Sequence, residues 1–188
     1  QDRAVVLAAV CSDARGLPFA SEELRRDRDV ALAAVRNRGY ALQFVAQEFK
    51  EDRDVVWEAV RRDVGPEYDD ADDNTWPTDG LALKFASEGL RRDPGLVLEA
   101  VRSNAGALQY AAEELRRDRM VVLEAVRSKS NMLISSECLH FAADDLRRDR
   151  DFVLEVVRSN GTALKCAADE FKRDRALVLE AVRSSGWA

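Results

Sequence analysis

The chain predicts an all-α fold: an α-solenoid of about seven two-helix repeats with a 25-residue period, the last repeat incomplete. Three observations carry this reading. An Asp that opens an apolar run recurs at Asp2, Asp27, Asp52, Asp93, Asp118, Asp149 and Asp174, with spacings of 25, 25, 41, 25, 31 and 25 residues. A Gly-x-Ala-Leu signature follows at Gly39, Gly80 and Gly161, and a basic pair closes many units just before the next Asp. A unit this short cannot bury its own apolar face, so the core has to form between neighbours. With 46% apolar and 34% charged residues, the composition fits short helices with charged edges rather than a disordered chain.

The first half of a unit, such as Asp27-Arg28-Asp29-Val30-Ala31-Leu32-Ala33-Ala34-Val35, reads as a helix of about ten residues. Asp is placed to cap it, because its carboxylate accepts the free N–H groups of the first turn and meets the positive end of the helix dipole. Pro94 directly after Asp93 agrees, since the first helical position is where proline is tolerated. Arg36, Arg61, Arg102, Arg127, Arg158 and Arg183 set a cation in the last turn. Val121, Val122, Leu123, Ala125 and Val126 leave no wide polar face, so this helix is expected to be sandwiched between neighbours.

The second half begins at Gly39-Tyr40-Ala41-Leu42 or Gly161-Thr162-Ala163-Leu164, with the glycine expected in a left-handed helix-ending conformation. A second helix is expected to follow, with Leu42, Val45 and Phe49, or Leu108, Ala111 and Leu115, on one face. It closes with Arg25-Arg26, Arg116-Arg117 or Arg147-Arg148, so almost no turn separates it from the next unit. Consecutive helices then fold back at roughly 8–10 Å. The repeated second-helix faces would form a long, regular surface on a curved rod.

Residues 1–188 thus form a single array with two interruptions, an acidic loop over 63–79 and a short insertion over 128–137. Insertions in such arrays map to loops on one face, often the binding face. The candidate partner contacts are therefore Tyr68, Asp69, Asp70, Asp72, Asp73 and Trp76 in the first, and Met132, Leu133 and Ile134 in the second. Asp70, Asp72 and Asn74 match the first, third and fifth positions of a calcium loop, but Thr75 replaces its glycine and Leu81 its bidentate glutamate. No metal or cofactor is expected. Gly186-Trp187-Ala188 repeats the start of a second helix, and Gln1-Asp2 opens a first one with no polar cap before it. The expectation is a segment of a longer array, or one covered at its ends by another protein.

A net charge of −6 and a pI near 5.0 oppose non-specific attraction to nucleic acid or anionic lipid and favour basic partners. Cys11, Cys138 and Cys166 have neither metal-ligand nor disulfide-framework spacing, which points to a reducing compartment, cytoplasm or organelle interior. No apolar run is long enough to span a bilayer, although peripheral association with a membrane complex is compatible with the sequence. Cys138 and His140 lie two apart on a helix and do not face each other, so they make no nucleophile pair. His140 fills the variable position held elsewhere by Gln43, Lys84, Gln109 and Lys165 and is expected at the surface; Cys166 replaces an aromatic as a small core residue.

The recurring run Gly-x-Ala-Leu-x-Phe-Ala-x-Glu-x-Leu-Arg-Arg-Asp-x-x-Val-Val-Leu-x-Ala-Val-Arg resembles the repeat family called domain of unknown function 4116, over essentially the whole chain outside the insertions. The resemblance implies tandem helical repeats of a kind common in algal and other protist proteins, with no enzymatic activity and no functional residues to transfer. The function expected is a non-enzymatic scaffold for protein–protein interaction, or an architectural subunit of a larger assembly, organellar if the source is algal. The alternative is nucleic-acid or anionic-ligand binding through the repeated Arg pairs, which would weaken steeply as salt rises.

Overall fold

The computed structural model describes residues 2–61, 81–128 and 138–185, and no strand occurs among them. Seven first helices follow one another: α1 (Arg3–Ser12), α2 (Arg28–Asn37), α3 (Arg53–Arg61), α4 (Pro94–Ser103), α5 (Arg119–Arg127), α6 (Arg150–Ser159) and α7 (Arg175–Ser185). All seven start as their capping Asp dictates. Asp27 accepts the N–H groups of Asp29 at 2.9 Å and Val30 at 3.2 Å, and Asp149 those of Asp151 and Phe152, both at 3.0 Å. Asp2, Asp52, Asp93, Asp118 and Asp174 do the same. Each such cap is worth about 1 kcal/mol.

Each first helix packs on the one before it and the one after it. Two-sided contact explains the apolar circumference: in α2, Val30, Ala31, Ala34 and Val35 are all buried. The dependence on neighbours shows at α1, where Val5, the counterpart of Val30, is 64% exposed against 0% for Val30. One continuous core runs from Val10 through Phe152 to Ala181.

The second half of the unit differs from the single helix expected. It is two short pieces, in several units a 3₁₀ segment followed by a single-turn helix, as in Gly39–Gln43 then Gln47–Glu51 or Ala105–Tyr110 then Glu113–Arg116, whereas at Leu81–Phe85 the first piece is α-helical. In the last such unit both pieces are 3₁₀, Gly161–Cys166 and Phe171–Arg173. The break falls where a backbone N–H leaves its own helix and donates to the preceding unit. Ala46 donates to the Arg25 carbonyl at 3.2 Å, Ser87 to Lys50 at 2.9 Å, Ala112 to Arg91 at 3.0 Å and Ala143 to Arg116 at 3.1 Å. The backbone at these four residues is extended, as at a helix N-cap. Leu42, Val45 and Phe49 are nonetheless all buried, as the apolar spacing required.

The signature glycine also has a different reason from the one expected. Gly161 does not adopt a left-handed conformation; it makes room. A Cβ there would overlap the Ala181 carbonyl oxygen and the Ser185 Oγ of α7, and would lie 3.0 Å from the Ala181 carbonyl carbon. Its counterparts Ala14 and Ala105 are small and fully buried.

Candidate interaction surfaces

Charged side chains stitch successive units on the first-helix side. The arginine after each capping Asp reaches the next unit's capping Asp: Arg28 meets Asp52 at 3.1 Å, Arg53 meets Asp93 at 2.7 Å, Arg119 meets Asp149 at 2.7 Å and Arg150 meets Asp174 at 2.9 Å. Arg3 joins Asp27 in the same way. One oxygen of each of these aspartates holds its own helix start while the other holds the neighbour. The guanidiniums of Arg3, Arg53 and Arg150 accordingly keep the Asp27, Asp93 and Asp174 carboxyls below the usual carboxylate range. Pro94 removes this rung at the fourth unit.

A second series runs along the middle of the same layer. From α2 to α6 the last-turn arginine meets a glutamate of the next helix, as Arg36 does with Glu58 at 3.6 Å, Arg102 with Glu124 at 2.7 Å and Arg158 with Glu180 at 3.5 Å. The terminal carbonyls that a helix leaves unsatisfied are also taken by the neighbour. Ser128 Oγ donates to the Arg102 carbonyl at 3.1 Å, Ser184 Oγ to Arg158 at 3.2 Å, and Asn37 Nδ2 to Cys11 at 2.8 Å. The sequence marked these arginines only as helix-end cations. Their partners become visible only when successive units are laid side by side.

The second-half side is built differently. In three of the basic pairs that end the single-turn helices the second member is tied within its own turn: Arg26 to Glu22 at 3.0 Å, Arg92 to Glu88 at 2.7 Å and Arg117 to Glu113 at 2.7 Å. The first members differ along the array. Arg147 pairs with Asp144 and Lys172 with Asp169, each three residues back. Among the described residues, the side chains of Arg25, Lys50, Arg91 and Arg116 have no ion-pair or hydrogen-bond partner. All four are half-buried, and the Nε atoms of the three arginines are buried without an acceptor, as is that of Arg147, so the rows differ at the terminal guanidinium nitrogens alone. Arg25 lines a groove of about 210 Å³ with Phe44, Val45 and Ala46 of the next unit, and Glu22 and Glu48 stand at the same groove. The corresponding groove at Arg147, about 400 Å³, is lined by His140, Asp144, Lys165 and Cys166.

The candidate contacts Tyr68, Asp69, Asp70, Asp72, Asp73, Trp76, Met132, Leu133 and Ile134 lie outside the described residues, as does the calcium-loop motif at Asp70, Asp72 and Asn74. Among the described residues no cluster of His, Cys, Asp and Glu could hold a metal ion. His140 is exposed, whereas Cys138 is buried and donates from Sγ to the Ala105 carbonyl at 3.4 Å, so the two do face apart. Cys166 is half-buried against the core and Cys11 is exposed. No described helix is long and apolar enough to cross a membrane.

Neither the curated proteins nor the solved structures contain a match to the chain. One family model matches it six times in overlapping stretches, residues 2–50, 27–65, 78–111, 93–147, 132–171 and 149–188. These stretches follow the units described above and cover most of the sequence, and with them the chain belongs to the family described as Domain of unknown function (DUF4116).

Proposed function

We propose that the array is a non-enzymatic scaffold for protein–protein contact, serving as an architectural subunit of a larger assembly. The observation that carries this is a division between fixed frame and varied surface. Capping aspartates, ladder arginines and core residues recur from unit to unit, whereas one position of the short segment after each first helix holds Pro18, Gln43, Lys84, Gln109, His140 and Lys165 in turn. Pro18, Lys84, His140 and Lys165 are exposed there, presented at intervals fixed by the backbone ladder. A regular frame carrying changing side chains is what an extended recognition surface requires.

The test is affinity capture at moderate and at high salt, with the native protein and with a Lys84→Ala, His140→Ala, Lys165→Ala variant. A stoichiometric protein that survives high salt and is lost from the variant supports the scaffold. Recovery of nucleic acid alone, released as salt rises, replaces it with a phosphate-binding role.

A further inference from the structure

We infer that the row Arg25, Lys50, Arg91 and Arg116 is a docking track for an acidic, extended segment of a partner protein, with one carboxylate per unit. This rests on the scaffold reading and names the chemistry of its partner. The first argument is the contrast in pairing. Ion pairs occupy Arg28, Arg53, Arg119 and Arg150 of the first-helix layer and Arg26, Arg92 and Arg117 beside this row, yet these four half-buried cations are left without partners in four successive units. A half-buried guanidinium has given up part of its hydration, so an incoming carboxylate meets a cation that is already partly desolvated and held in place.

The second argument is that the sequence sets where the row stops. The acidic residue three positions before this cation is Glu22, Glu88 or Glu113 in three of the open units, and Asp144 or Asp169 in the closed ones. The longer glutamate reaches four residues on, to Arg26, Arg92 or Arg117. The shorter aspartate reaches three residues on and occupies Arg147 or Lys172 instead. In the remaining open unit Gln47 stands at this position and carries no charge to offer Lys50. One methylene therefore decides whether the cation facing the groove is used internally or left for a partner.

The third argument concerns spacing and charge. The four residues are strung on the inter-unit backbone bonds, since the carbonyls of Arg25, Lys50, Arg91 and Arg116 accept from the following units. Their backbone positions are thus fixed before any partner arrives. Seven of the chain's 35 acidic side chains and none of its 29 basic ones fall in residues 63–79, which leaves the rest of the array at +1 rather than −6. The glutamates interleaved between the cations favour discrete carboxylates over the continuous charge of a phosphate backbone.

Fluorescence anisotropy with a labelled oligoglutamate peptide long enough to span four units tests the track, with a labelled oligothymidylate as comparison. Exchanges that conserve net charge are the informative variants. Glu22→Asp with Glu88→Asp and Glu113→Asp should draw Arg25, Arg91 and Arg116 into internal pairs and weaken peptide binding by roughly twofold to fivefold per unit. Asp144→Glu with Asp169→Glu should release Arg147 and Lys172, lengthen the track and strengthen binding by a similar factor. Far-UV circular dichroism verifies that each variant stays folded, and these exposed exchanges leave the core untouched. No peptide binding by the folded protein overturns the track and leaves the scaffold to its own capture test. Binding indifferent to the charge-conserving exchanges, or stronger for oligothymidylate, overturns it as well.

Discussion

The two layers of each unit are made from similar amino acids and use them in opposite ways. In the first-helix layer, a capping Asp serves two helices at once, arginines reach across to the next unit, and the residues are buried from both sides. In the second-half layer the helix is broken, half-buried cations stand without partners, and the exposed residues change from unit to unit. The contrast teaches that cohesion between units is concentrated on one side of the array, while the other carries the residues that change from unit to unit. One layer fixes the stack so that the other is free to vary.

The largest expected effect compares the cores of the two layers. Phe152 in α6 is fully buried and lies beneath the Arg119 guanidinium, 5.0 Å from its ring centroid. Phe152→Ala should cost about 3–5 kcal/mol in urea unfolding followed by far-UV circular dichroism. Phe171, in the 3₁₀ segment Phe171–Arg173, is 8% exposed and packs from one side of the unit. Phe171→Ala should cost clearly less, and equal losses would show that the layers do not differ in cohesion.

Glycine sharpens the same contrast within one residue type. Gly161 faces α7 so closely that Gly161→Val must push Ala181 and Ser185 away, a loss of about 1–3 kcal/mol. Gly89, in the single-turn helix Glu88–Arg91, has open space where its Cβ would stand. Gly89→Ala should be neutral or stabilising by up to about 1 kcal/mol, because it restricts the unfolded chain without strain in the folded one. Thermal midpoints of the two variants should therefore move in opposite directions.

Acid should loosen the first-helix layer. Hydrogen bonds from Arg53 and Arg150 lower the pKa of Asp93 and Asp174, and the Phe152 N–H does most to lower that of Asp149, helped by Arg119. A carboxyl whose folded pKa is depressed contributes stability that is present above its unfolded value, near 4, and lost as pH falls through the lower folded value. The thermal midpoint should hold above about pH 5 and fall progressively below about pH 4. Asp93→Asn keeps a capping oxygen but removes the charge that meets Arg53, so it should flatten part of that acid dependence at a small cost in neutral stability. An unchanged pH profile in Asp93→Asn would mean that this rung carries no linked proton.

How legible this was follows from where the determining contacts lie. The helix starts could be read directly because Asp27 or Asp149 caps within three residues of itself, a local effect. The buried face of the second half was readable too, since the spacing of Leu42, Val45 and Phe49 survives in a 3₁₀-then-α path. Its break was not, because the cause is a bond from Ala46 to Arg25 of the preceding unit. Ser21 and Ser87 were the available hint, as residues favoured at helix N-caps inside an otherwise apolar pattern, and Ser21 does accept the Leu24 N–H at 3.4 Å. The unpaired row escaped notice for a similar reason, since a basic pair looks alike whether its acid reaches three residues or four.

The smallest expected effect lies at the one rung that the sequence omits. Pro94 occupies the place where Arg28, Arg53, Arg119 and Arg150 bridge to the next unit, and so Asp118 caps α5 through Met120 at 2.8 Å and Val121 at 3.3 Å without that arginine. Pro94→Arg would add the rung while losing the entropic advantage of proline at a helix start, and these changes nearly cancel. The single variant is therefore uninformative by itself. Made both in the native background and with Asp118→Asn, which retains the cap, it isolates the Arg–Asp coupling. A coupling of about 0.2–1 kcal/mol would show that the ladder stabilises the first-helix layer rung by rung. A coupling of zero would leave burial alone to account for its cohesion, and would reduce the charged ladder to setting which units lie next to one another.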